Sequence, residues 1–271
     1  MGRLKAAFAL AVALAPAGCA TSGVAPPASH TSEPRKATLD EVLAAHDAYC
    51  GATRTFSASG DLEVRDLRAG KSRKLSVRVV AARGGRLYLK GSILVVTALE
   101  VVSDGERFWL QVPSKKTVWT GPNDASHEAE GADQAPFYAL RPRDITAALL
   151  PEALTPGEDE VALFEENRES VSVVVGGVSA GRGHVSRRVL FDRETLHVLR
   201  ALSYDQDGNL ISESSFGGWK GDVPRLVTVV RPSEGYVASF VFDKAEVNVA
   251  VPERAFAPRL PEGYAIREVG E

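Results

Sequence analysis

The sequence predicts a mainly β domain of the α+β class, in which one curved antiparallel sheet forms an incomplete barrel with helices covering one side. Three observations carry that expectation. Segment after segment alternates apolar with polar residues, the period of half-buried strands. Short turns containing Gly, Asp-Gly or Pro separate these segments, as between hairpins. Only two stretches switch to helical spacing, and no βαβ rhythm appears.

The chain opens with Arg3 and Lys5, an apolar run from Ala6 to Ala15, and Pro16-Ala17-Gly18-Cys19. That is the order of a secretory signal peptide, here residues 1–18. Its apolar core is shorter than the roughly 20 residues needed to cross a bilayer as a helix. Small residues running into a cysteine resemble a lipobox, with Pro16 where Leu is usual and Leu14 the nearest leucine. The resemblance implies that Cys19 is acylated and becomes the N-terminal membrane anchor. Ala20 after the cysteine, in place of Asp, implies sorting to the outer membrane of a two-membrane envelope, facing the periplasm. Residues 19–37 are then the lipidated cysteine and a Pro-, Ser- and Thr-rich tether, averaging roughly 25 Å end to end as a coil. Residues 38–271 form the folded domain.

Within that domain, Thr38–Tyr49 places Leu39, Val42, Leu43 and Ala45 or His46 at helical spacing, with Thr38 as cap. The period then becomes two. Phe56, Ala58, Leu62 and Val64, and then Leu75, Val77, Val79 and Ala81, mark half-buried strands, continued by RLYLKG, SILVVTALEVVS, RFWLQVP and KTVWTG. Residues 121–135 are acidic and unpatterned, a surface loop. A second helix is expected in FYALRPRDITAALLPEAL, capped by Asp144, with Ile145, Leu149 and Leu150 on one face. A second meander follows through VALFEEN, SVSVVVGG, HVSRRVLFD, TLHVLRALSYD, NLISESSFGGW, RLVTVVRP and GYVASFVFDKAEVNV, with Gly208-Asn209 at one tight turn.

Composition removes several function classes. Loss of the signal peptide takes two positive charges, Arg3 and Lys5, so the formal net charge falls from −3 to −5, which argues against nucleic acid as a partner. With Cys19 acylated, Cys50 has no disulfide partner and reads as a small core residue. Gly177-Val178-Ser179-Ala180-Gly181 matches a nucleophile-elbow pattern, but strand-like sequence follows the serine where a helix is required. Asp205, Asp207 and Asn209 imitate a calcium loop that Leu210 and Phe216 then break. His30, His46, His127, His184 and His197 form no helical metal pair. No cofactor motif, metal motif or catalytic constellation is left, and a non-enzymatic role is expected.

The order helix, meander, internal helix, second meander resembles the LolA/LolB lipoprotein-carrier superfamily. So does RLYLKG followed by ALEVVSDGERFWLQVPSKKTVWTG, and so does the ending VPERAFAPRLPEGYAI, where a Phe precedes a Pro-Gly turn. The resemblance implies an incomplete barrel closed by helices around an apolar cavity. It also implies, for the region matching Lys90–Val96, the exposed apolar loop of the membrane-anchored member; KGSILVV is apolar there without the Pro-Leu-Gly wording. In such a barrel the inward phases of Phe56, Leu62, Leu75, Val77, Leu87, Leu89, Phe108, Leu110, Phe240 and Phe242 are candidates to line a cavity for acyl chains such as palmitate, although the same residues serve equally as plain core. Trp109, on the opposite phase, is a candidate for surface contact. The expected function is binding of lipid or lipoprotein acyl chains for non-covalent transfer or retention. The alternative is an envelope scaffold with a packed core that docks a protein partner.

Overall fold

The computed structural model describes residues 35–123, 140–179 and 181–269. The expected signal peptide, Cys19, most of the tether, residues 124–135 of the acidic loop, His30 and His127 lie outside the described residues.

Helix α1 spans Leu39–Ala52 and runs past its expected end. Thr38 caps it, its hydroxyl accepting from the Glu41 N–H at 3.2 Å, and Asp40 and Glu41 occupy the first turn, where the helix dipole favours acids. Val42, His46 and Cys50, at i, i+4 spacing, form its buried stripe, while Leu39 and Leu43 pack at the margin. Burial pushes the Cys50 thiol up to about 11, as an inert core cysteine requires.

Helix α2 spans Pro142–Leu149, with proline at the start, where no N–H partner is needed. Asp144 is not its cap, contrary to expectation. Arg141 holds the cap position, and Asp144 lies in the first turn with its carboxylate 3.3 Å from Arg231 Nη1. A buried guanidinium outcompetes backbone capping for that carboxylate.

The sheet contains two meanders. The first comprises β1 (Thr55–Asp66), β2 (Ser72–Ala82), β3 (Arg86–Ile93), β4 (Val96–Asp104), β5 (Arg107–Val112) and β6 (Thr117–Pro122). The second comprises β7 (Glu160–Glu166), β8 (Ser170–Ser179), β9 (Arg182–Asp192), β10 (Val198–Tyr204), β11 (Leu210–Gly217), β12 (Leu226–Arg231) and β13 (Tyr236–Val247). A short β14 (Ala265–Glu268) lies parallel to β6, an edge pairing that the antiparallel expectation lacked. The order is β14-β6-β5-β4-β3-β2-β1-β13-β12-β11-β10-β9-β8-β7, curved and unclosed. The meanders join where β13 pairs with β1, and a bulge at Ser59/Gly60 bends that seam. A Cβ on Gly60 would stand 2.0 Å from the Val241 carbonyl oxygen, so only glycine permits the approach.

One expected strand divides. SILVVTALEVVS becomes the end of β3, a two-residue turn at Leu94-Val95 and then β4, with Ile93 opposite Val96. Nothing in a run of branched apolar residues marks a turn, and Leu94 adopts φ +55° without the Asn or Gly that such turns favour.

Candidate functional site

The inner face of the sheet carries two separate cores. The larger joins β1–β5, β12 and β13 under α2, through Ile145, Ala148, Leu149 and Leu150. The smaller joins α1 to β8 and β9 through Val42, Val171, Val173, Val175, Val189 and Phe191, with Leu154 closing it. Phe56, Leu62, Leu75, Val77, Leu87, Leu89, Phe108, Leu110, Phe240 and Phe242 all lie in the larger core, at 0 to 4% exposure. Their inward phase was legible in the sequence, but the structure packs them shut beneath α2 and none of them lines the open cavity. Trp109, on the opposite face, is half-buried.

Two residues space the helices. Arg83, between β2 and β3, donates through Nε to the Thr53 carbonyl at 3.0 Å and through Nη2 to Cys50 O at the end of α1. Its Nη1 reaches the carbonyls of Leu150 at 3.0 Å and Pro151 at 2.6 Å at the end of α2. One guanidinium thereby satisfies orphan carbonyls at both helix C-termini, where positive charge is favoured. Asp47 of α1 accepts from the N–H groups of Leu154 at 2.7 Å and Thr155 at 3.1 Å, tying α1 to the segment after α2.

Held apart in this way, the helices leave β10 and β11 uncovered. Residues of β10 and β11 are almost all half-buried, and a cavity of about 430 Å³ opens above them. His46 and Tyr49 of α1, Ala147 and Asp144 of α2, and Trp219 and Pro224 after β11 form its walls. The floor is Val189, Val198, Ala201, Ser203, Ser212, Ser214 and Phe216. Four of these floor positions, Ala201, Ser203, Ser212 and Ser214, carry Ala or Ser where the larger core carries mostly Val, Leu or Phe, and their small volume makes the space. That substitution is visible in LRALSY and LISESSF, the one sequence signal that could have located the cavity.

One end of the cavity is ionic. Arg231, nearly fully buried, meets Glu234 at 2.8 Å and Asp144 at 3.3 Å, and Arg141 also pairs with Glu234. Burial opposes the charge on Glu234, but hydrogen bonds from Arg231 and Ser233, with the charges of Arg231 and Arg141, outweigh it and hold the carboxyl at about 2. For Asp144 burial wins over the same arginines and raises the carboxyl above its ordinary value. Burial likewise lowers His46, which keeps the imidazole neutral at pH 7. At the other end Trp219 stacks on His197 with ring centroids 4.5 Å apart.

A second feature lies far along the sheet from this cavity. At the β3–β4 turn, Ile93, Leu94, Val95 and Val96 are 51, 91, 96 and 68% exposed, a contiguous apolar tip in water.

The two other sequence motifs fold as turns between strands. Ser179 ends β8 opposite Arg182, a hairpin without a following helix. Asp205 accepts from the Asp207 and Asn209 N–H groups and closes the β10–β11 turn, with Gly208 at φ +83°. Among the described residues no cluster of His, Cys, Asp or Glu could hold a metal, and no helix is long and apolar enough to cross a membrane.

No protein-family model and no curated protein matches the sequence. Solved structures do match. A LolA-superfamily protein from Nitrosomonas europaea aligns over 82% of this chain and 99% of its own, with TM-score 0.51 and 11% identity. A DUF1329-family protein from Desulfovibrio piger aligns over 79% and 94%, with TM-score 0.50 and 16% identity.

Proposed function

Starting from the LolA/LolB-like fold that this chain has, we propose that it is a lipid-anchored envelope protein, held at the outer membrane through acylated Cys19, that binds acyl chains of a lipid or lipoprotein without chemical conversion. The observation that carries the reading is the cavity over β10 and β11. A scaffold has no use for an opening in its core, whereas about 430 Å³ of partly apolar space suits a small ligand. Each methylene buried there contributes about 0.8 kcal/mol, so part of one chain binds usefully. The exposed tip at Leu94-Val95 supports a role at the membrane, because its apolar side chains can enter the interfacial region of a bilayer.

The test is native mass spectrometry of the mature chain from a bacterial envelope, followed by organic extraction. Stoichiometric lipid is expected in the wild type and not in a chain carrying Ala201→Phe and Ser214→Leu, which fill the floor. A wild type that emerges empty and takes up no fatty acid would overturn the carrier reading.

One observation favours the scaffold instead. Strand β7 ends the sheet, no described strand pairs with its outer side, and Val161 and Leu163 on it are each 61% exposed. A partner strand could add there. Cross-linking at Leu163 that captures an envelope protein, together with an empty cavity, would establish that role.

A further inference from the structure

The cavity floor is graded along the strands. Arg187 of β9 lies opposite Ser203, and Ser203 opposite Ser212. The β11–β12 register, Glu213 opposite Val230, places Arg231 beside Ser212. These four form one polar row. The next row inward is Val189, Ala201, Ser214 and Val229, and the one beyond it contains Phe216 and Val227. From Ser212 to Phe216 the strand covers about 13 Å.

From this grading we infer that the ligand is a single-chain acylated glycerol, a monoacylglycerol or lysophospholipid, with its glycerol on the Ser203–Ser212 row and its tail running toward Phe216 and Trp219. The inference rests on the acyl-binding reading and names the head group that reading leaves open. The hydroxyls of Ser203 and Ser212 have no hydrogen bond to any described residue, although both are half-buried. Above the same row Asp144 lines the cavity, and its Oδ2 is buried without a partner, while Oδ1 faces Arg231. Hydroxyls that donate and accept, beside a carboxylate oxygen that only accepts, match a head bearing free hydroxyls and ester oxygens.

Charge does not dominate this end. Arg187 pairs with Glu160 at 3.2 Å, Arg141 with Glu234, and Arg231 with Asp144 and Glu234, so the charge of these three arginines is matched by acids. The volume of about 430 Å³ suits a single acyl chain.

The experiment titrates 1-monolauroylglycerol, lauroyl-lysophosphatidylglycerol, laurate and methyl laurate into the full mature chain, read by tryptophan fluorescence and calorimetry. Both glycerol lipids are expected to bind about tenfold tighter than methyl laurate, the effect of roughly one satisfied hydrogen bond. Ser203→Ala with Ser212→Ala, which removes only hydroxyls, is expected to erase that preference, so that the glycerol lipids bind no tighter than methyl laurate. Tighter binding of the lysophospholipid than of the monoacylglycerol would identify a membrane lipid as the source. Equal binding of all four probes, or tightest binding of laurate, would overturn the head-group assignment and leave the carrier reading standing. Binding of none of them, in wild type as in the floor-filled variant, would remove the carrier reading itself.

Discussion

At the scale of residues, the buried charges under α2 are the most sensitive. Arg231, Arg141, Glu234 and Asp144 occupy the ionic end of the cavity, and removing one partner strands another in a low-dielectric site. Glu234→Gln is expected to cost about 3 kcal/mol at pH 7. Because the Glu234 carboxyl is lowered from 4.5 to about 2 in the folded chain, its contribution is complete above about pH 4.5 and fades as pH falls toward 2. Urea unfolding between pH 7 and pH 2.5 checks this, and the gap between wild type and variant must narrow across that window. Asp144, raised by burial, works in the opposite sense and keeps part of the wild-type loss small. At the seam, Gly60→Ala forces a methyl group against the Val241 carbonyl and is expected to lower stability by about 3 kcal/mol, measurable as a drop in Tm.

At the scale of elements, the β3–β4 hairpin breaks the local rules of turn chemistry. A leucine at φ +55° is strained by about 1 kcal/mol or more, and its side chain and that of Val95 gain nothing by facing water. Replacing Leu94-Val95 by Asn-Gly relieves the strain. In an unacylated chain carrying Cys19→Ser, the variant is expected to gain about 1 kcal/mol in thermal unfolding and to lose flotation with lipid vesicles. Retained flotation would detach the tip from any membrane role. The helices show the reverse relation between sequence and position. Thr38, Pro142 and the apolar stripes of α1 and α2 follow local rules, but Arg83 and Asp47 decide where those helices stand, by bonds that reach across the chain.

At the scale of the molecule, two meanders are joined edge to edge by the β1–β13 seam. Pairing strands so distant in sequence imposes a large loop-closure cost, so the seam forms late and its loss unravels both halves. Hydrogen exchange is expected to be slowest in β1, β2 and β13, which have paired neighbours on both sides, and fastest in β7 and β14 at the sheet edges. The uncovered β10–β11 floor is expected to exchange at an intermediate rate and to slow when an acyl ligand is added. A uniform rate across the sheet would show that it opens as one unit, without a separable floor.

The sequence by itself determined the fold class, every strand of both meanders and the existence of both helices, because period-two and 3.6-residue patterns are local and burial reads them directly. It also determined the inward phase of the ten candidate residues from Phe56 to Phe242, the burial of Cys50 and the hairpin at Gly208. The short β14, the split of SILVVTALEVVS and the role of Asp144 were not legible, since each depends on a partner brought from elsewhere in the chain. Above all, only the tertiary structure decided which inward residues are core and which bound a cavity. Phase tells a side chain which face it occupies, but whether that face is covered depends on where α1 and α2 lie, and Arg83 and Asp47 settle that at long range.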